Sequence, residues 1–211
     1  MITNTDTALE SRTTPVQQRG HARVDALLDA AAELVEALGI AAMTTSAIAE
    51  RSGSSVGVVY RYFPNADAVL VALAERNRDQ FAARIASEIL VEVPGTWQEF
   101  VTRCIDLYAD MAKTVPAFRV VRFGDVVALR FANRESANNE QLGKDLDDLL
   151  AVHYGFARTE SLAMATQVAM ECADAVTRRA FLREREGDGR FIEAAKDLLI
   201  CILEPQAPGA R

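Results

Sequence analysis

The chain has 211 residues, of which 50% are hydrophobic and 25% charged, with a formal net charge of −7 at pH 7. That balance suits a folded globular protein with room for one large or two small domains, and it excludes a disordered acidic tail. No apolar run approaches the roughly 20 residues a bilayer span requires, and no charged start followed by an apolar stretch opens the chain, so no membrane partner is expected and the expected compartment is the cytoplasm.

Residues 1–20 are polar, lack periodicity and include Pro15, which predicts a flexible arm whose Arg12 and Arg19 could reach a minor groove of bound DNA. Val24, Leu27, Leu28, Ala31, Leu34, Val35 and Leu38 then recur at helical spacing, and Gly39 stops them. Ile40 and Met43 lead into two short helices joined by a tight turn. Thr44 and Thr45 offer capping hydroxyls to the first, whose inner face is Ile48 and Ala49. Gly53 breaks it, and Ser54 or Ser55 can accept a backbone N–H to start the second. Val56, Val59 and Phe63 fall on one side of this second helix, and Ser55, Val58, Arg61 and Tyr62 on the other.

The pattern Thr45, Ile48-Ala49, Gly53, Ser55, Gly57, Tyr60 and Phe63, running on through Pro64-Asn65-Ala66-Asp67-Ala68-Val69-Leu70, resembles the tetracycline-repressor (TetR) family of bacterial transcriptional regulators. The resemblance extends over about Arg23 to Leu73. It implies an all-α fold: a helix-turn-helix DNA-binding domain over 21–64, and a helical ligand-binding and dimerisation domain over 65–204 followed by a short tail at 205–211. The partners it implies are double-stranded DNA carrying a near-palindromic operator, a small-molecule effector and a second copy of the chain. Thr44, Thr45, Ser54, Ser55, Val56, Gly57, Val58, Tyr60, Arg61 and Tyr62 are the DNA-binding candidates. Of these, Thr44, Thr45, Ser55, Tyr60 and Tyr62 are expected mainly on phosphates, with Val56, Gly57, Val58 and Arg61 nearest base edges. Three positions depart from the family pattern: Ala66 stands where a phosphate-reaching lysine is usual, Ser54 where an apolar residue is, and Val58 where threonine often is. Val58 can still meet a thymine methyl.

The head is close to neutral, its arginines Arg12, Arg19, Arg23, Arg51 and Arg61 being offset by acids among them Asp25, Glu33, Glu36 and Glu50. With so modest a basic patch, the alternative reading is a helical small-molecule-binding or scaffold protein with weakened DNA binding.

Asn65 or Asp67 can cap the next helix, whose apolar face of Val69, Leu70, Leu73, Phe81 and Ile85 runs to about Val91 before Pro94-Gly95 ends it. Trp97, Phe100, Val101, Cys104, Leu107, Tyr108 and Met111 put apolar residues on more than one side of a helix, which predicts burial all round. Pro116 opens a short helix with Phe118, Val120, Val121 and Phe123; Val126, Val127, Leu129 and Phe131 resume after Gly124, and Asn133 to Asn139 reads as an exposed kink or loop. Leu142, Leu146, Leu149, Leu150 and His153 mark a further helix ended by Gly155. The last two helices are expected over Thr159 to Glu186, capped by Thr159 or Ser161, and over Phe191 to Leu203.

Trp97, Phe100, Cys104, Tyr108, Met111, Phe118, Phe123, Phe131, His153 and Met164 are the candidates to line an apolar ligand pocket, with an ordinary filled core as the bland alternative for each. The small residues Leu162, Ala165, Thr166, Ala169, Ala173, Val176 and Ala180, with Leu199 and Ile202, are the expected dimer seam; packing within one chain is the competing possibility. Cys104, Cys172 and Cys201 read as buried reduced thiols. Catalysis and cofactors are not expected. His21 and His153 are the only histidines, no phosphate loop or nucleophile elbow occurs, and Asp145, Asp147 and Asp148 look like a solvated helix face, not a metal site.

Overall fold

The computed structural model describes residues 15–121 and 135–209, and every described element is helical. In order these are α1 (Pro15–Leu38), α2 (Thr45–Arg51), α3 (Val56–Tyr62), α4 (Ala66–Arg84), α5 (Trp97–Thr114), α6 (Glu135–Tyr154), α7 (Glu160–Phe181) and α8 (Gly189–Leu203). Phe123, Val126, Val127, Leu129 and Phe131 lie outside the described residues.

Local chemistry sets most of the helix starts. Thr44 Oγ1 accepts the Ala47 N–H at 3.1 Å, Ser55 Oγ that of Val58 at 3.4 Å, Asn65 Oδ1 that of Ala68 at 2.8 Å and Thr159 Oγ1 that of Leu162 at 3.1 Å. Each satisfies one of the amides that a helix leaves without an internal partner. Gly53 takes φ +61° in the turn between α2 and α3, a conformation in which a side chain would crowd the following carbonyl.

Several boundaries differ from the sequence reading. The stretch expected as a flexible arm to residue 20 is helical from Pro15, a residue suited to a first helical turn because its missing N–H has no partner there. Pro116 opens a run of turns to Val121, not a helix, and Glu135 to Asn139 is the first part of α6, not a loop. α4 passes at Arg84 into a π-turn (Ile85–Ile89) and a 3-10 turn (Leu90–Glu92). α7 stops at Phe181, five residues short of Glu186, where the backbone doubles back so that the Asp188 N–H donates to the Ala180 carbonyl at 2.9 Å. Gly187 makes that reversal possible at φ +79°, with a Cβ there falling 2.7 Å from the Phe181 ring. Gly187→Ala should therefore lower the unfolding free energy by about 2 kcal/mol, read as a lower urea midpoint at unchanged slope.

Two hydrophobic cores result. Leu27, Leu28, Ala31 and Val35 of α1 meet Ile48, Ala49, Val59 and Phe63 of the two short helices and Val69, Leu70 and Leu73 of α4. The second core gathers α5, α6, α7 and α8 around Phe100, Met111, Leu150, Leu162 and Leu199, with Phe81 at the far end of α4. α4 thus belongs to both. Ion pairs brace the head from outside, Arg51 to Glu33 at 2.6 Å and Arg76 to Asp29 at 2.7 Å. In the body Lys196 of α8, buried to the tip of its stem, reaches Asp106 of α5 at 2.6 Å.

Candidate nucleic-acid interface and apolar cavity

α3 buries Val59 and the following Phe63 in the head core and turns Val56, Gly57, Tyr60 and Arg61 to solvent. Val56 was expected on the inner side with Val59, but at the first position of α3 it is exposed. Val58 and Tyr62 are half-buried, and Tyr62 packs on the head core. The exposed face is organised by hydroxyls: Thr45 Oγ1 donates to Tyr60 Oη at 3.3 Å, tying the start of α2 to the middle of α3. Ser54, in the turn, accepts from Arg23 Nη1 of α1 at 3.4 Å. Thr44 and Ser55 use their oxygens as caps and keep their protons to donate outward. Hydroxyls, a guanidinium and small apolar side chains on one protruding short helix can address phosphates and base edges together.

Between α4, α5, α6 and α7, with Leu199 of α8 also on the wall, lies a cavity of about 360 Å³. Phe100, Cys104 and Tyr108 of the expected pocket set are on its wall. Trp97, Met111 and Phe118 are instead filled core: Trp97 and Met111 share the side of α5 that carries Phe100, Cys104 and Tyr108, but they lie before and after the stretch that borders the void, and Phe118 follows in the turn beyond. His153 and Met164 are exposed, and Phe123 and Phe131 fall outside the described residues. The rest of the wall includes Phe81, Ile85, Leu142, Leu146, Leu149 and Met170. Three aspartates, Asp145, Asp148 and Asp174, complete it. Asp148 is exposed, as the solvated-face reading had it, but Asp145 shares a helical face with Leu142, Leu146 and Leu149, a signal that reading passed over, and Asp174 shares one with Met170, Ala173 and Thr177. Asp147 is half-buried and not on the wall. Its Oδ1 is buried without a hydrogen-bond partner, and burial holds its carboxyl above the usual range.

The cysteines separate. Burial pushes the Cys104 thiol up to about 12, which leaves it protonated and unreactive at neutral pH. Cys172 is half-buried and Cys201 exposed, so the expectation of three buried thiols fails at α8, whose outer face no other described element covers.

The cavity is wired to the head through residues 115–121. Tyr108 on the cavity wall meets the Phe118 ring edge to face at 5.2 Å, and Phe118 is fully buried in the body core. On either side of it, Ala117 and Val121 are fully buried in the head core. Glu36 of α1 clamps the same segment, accepting the Ala117 N–H at 3.1 Å and Arg119 Nη2 at 2.6 Å. Asn77 of α4, buried, donates to the Val121 carbonyl. Ala117 is held at φ +62°, a strained value for a residue with a side chain.

Comparison with known proteins agrees with this two-part design. Residues 27–73 match the bacterial regulatory proteins of the tetR family, and residues 95–207 match the tetracyclin repressor-like C-terminal domain. The chain belongs to the TetR family. A TetR-family transcriptional regulator from Streptomyces coelicolor is 30% identical at a TM-score of 0.75, the match covering 87% of this chain and 99% of that one. The fold is also shared with the multidrug binding protein EbrR, crystallised with malachite green, at 20% identity and a TM-score of 0.61 over 88% of this chain and 98% of that one. The fatty acid degradation regulator FadR of Bacillus halodurans follows at 19% identity and 0.59, over 90% and 96%. Among curated proteins no match is found.

The seam expected for a TetR-family dimer needs correction at most of its residues. Leu162, Thr166, Ala169, Ala173, Ala180 and Leu199 are buried within the chain itself, because α7 turns this stripe of small side chains against α6 and α8. Ala165, Val176 and Ile202 stay half-buried. The opposite side of α7 carries exposed Met164 at 64%, Val168 at 41% and Leu182 at 67%. No described helix is long and apolar enough to cross a membrane, and no group of three metal-ligand side chains stands together among the described residues.

Proposed function

We propose that this TetR-family protein is a ligand-responsive, sequence-specific transcriptional regulator: a cytoplasmic homodimer that sets α3 of each copy into a major groove of a near-palindromic operator and represses transcription there. A hydrophobic or amphipathic effector in the cavity releases the DNA. The observation that carries this reading is the 115–121 segment, which is packed into the head core at Ala117 and Val121 and into the cavity wall's neighbour Phe118 between them. A ligand pressing on Tyr108 would shift a segment that the head also grips, and the head's orientation would follow, by no more than the ligand's differential affinity for the two arrangements.

The outer face of α7 supports the dimer. Met164 and Val168 near the start of α7, and Leu182 just past its end, are exposed apolar side chains on the side away from the chain's own core, and a second copy would cover them across a two-fold axis.

The test is fluorescence anisotropy with labelled DNA flanking the protein's own gene, over a salt series and against scrambled competitor. Binding that resists competitor and weakens with salt is the expected result. Affinity no greater than for scrambled DNA, there and on the sites enriched by random-sequence selection, would overturn the reading and favour a small-molecule-binding or scaffold role.

A further inference from the structure

We infer that the cavity takes a lipophilic cation, an inference that rests on the reading of this cavity as the effector site. The argument is one of sign. Among the described residues that line it, the charged ones are Asp145, Asp148 and Asp174, and lysine, arginine and histidine are absent. The remaining wall is aliphatic and aromatic, with the rings of Phe81, Phe100 and Tyr108 on it. Phe81 and Tyr108 meet edge to face, with centroids 6.3 Å apart and ring planes 85° apart. Aromatic faces attract cations through the ring quadrupole, and a carboxylate beside an apolar void acts at short range with little screening.

The partners of these acids lie outside. Arg178 Nη2 meets Asp174 Oδ2 at 2.8 Å from the next turn of α7, yet the Asp174 side chain is only 11% exposed while Arg178 is 53% exposed. Arg158 pairs with Asp148 from beyond the end of α6, and Gln141 donates to Asp145 at 2.8 Å. Neither arginine is on the wall. A guest in the cavity therefore has the Asp174 carboxylate nearer to it than its counter-charge, whereas Asp148, 63% exposed and paired to Arg158, is screened by solvent and adds less. A carboxylate or phosphate guest would meet these three acids with no described cation on the wall to receive it. The Cys104 thiol, protonated at neutral pH, offers a guest neither charge nor a nucleophile.

Two ions of matched size, shape and apolar surface separate the alternatives: tetraphenylphosphonium and tetraphenylborate, titrated calorimetrically into the full-length protein at physiological salt, with neutral Nile red as a third probe. Tetraphenylphosphonium is expected to bind about tenfold or more tightly than tetraphenylborate. Asp174→Asn, which keeps the shape and one hydrogen-bonding oxygen, should cost about fivefold or more of that affinity and leave Nile red within about twofold. Asp145→Asn serves if the first variant does not fold. The exposed Glu75→Gln, which removes the same net charge from the far side of α4, should change nothing beyond twofold, and so separates a local effect from the chain's overall acidity. Nile red binding together with equal or tighter tetraphenylborate binding would overturn the inference while leaving an effector cavity in place. Failure of all three probes to bind would overturn the cavity reading and the inference with it.

Discussion

Replacing Tyr60 with alanine should raise the dissociation constant for operator DNA by roughly ten- to a hundredfold while leaving the fold intact. Tyr60 is 55% exposed on the outer side of α3, so truncating it removes little buried surface, and the expected stability change stays within about 0.5 kcal/mol. Its oxygen is already engaged as an acceptor from Thr45 at 3.3 Å. The phenolic proton is then left to donate outward, and a phosphate oxygen is the acceptor that DNA offers at that radius. A hydrogen bond to a charged acceptor is worth about 1.5–3 kcal/mol, which converts to the stated loss. Because phosphate contacts position without reading sequence, the loss should appear on scrambled DNA as well as on the operator. Tyr60→Phe should reproduce most of it, since the hydroxyl and not the ring makes the contact. Anisotropy titrations at fixed salt, with circular dichroism as the folding control, check all three statements; unchanged affinity would remove α3 from the interface.

The head was far more legible in the sequence than the cavity, for a physical reason. Its elements are short and locally determined: a threonine or serine hydroxyl three residues before an amide, a glycine at positive φ, apolar residues at helical spacing. Each is a contact within a few positions, so spacing alone carries it. The cavity is bounded by side chains from five helices, and whether a given aromatic fills core or faces a void depends on how those helices cross and where along each of them the gap falls. Phe100 and Met111, eleven residues apart on α5 and therefore almost in line along it, show the limit: the first touches the cavity and the second is filled core. The dimer seam failed in the same way. A stripe of small residues signals close helix approach, and Ala169 and Ala173 do allow one, but the pattern does not say whose helix approaches. The segment from Ala117 to Val121, predicted as a helix, is a run of turns that puts Phe118 into the body core and Ala117, Val120 and Val121 against the head core, a division that spacing within the segment does not reveal.

That bridging of the two cores is what makes Glu36 the residue whose loss should most change the protein's behaviour. Its carboxylate accepts from the Ala117 N–H and from Arg119, and Arg185 stands 4.0 Å away, so one side chain of α1 gathers the segment leaving α5 and the turn after α7. Without it, Ala117 loses part of what holds it at φ +62°, and the backbone around it can relax toward an unstrained conformation. Glu36→Ala should lower stability by about 1–3 kcal/mol, since the pair is only partly buried and Arg119 can find water. The larger effect is on coupling. Allosteric coupling between two sites amounts to about 1–3 kcal/mol, a 5- to 150-fold change in affinity. In Glu36→Ala the ratio of operator affinities with and without effector should fall toward unity, while effector binding itself, made on the far side of Tyr108, stays within about threefold. Glu36→Gln, whose amide oxygen still accepts the Ala117 N–H, should retain an intermediate ratio. A brace with no part in signalling would lower the unfolding free energy and leave the ratio where it was. Linkage adds an independent check, because whatever factor the effector loses over DNA, DNA must lose over the effector, so titrating effector into protein with and without bound operator should give the same diminished ratio.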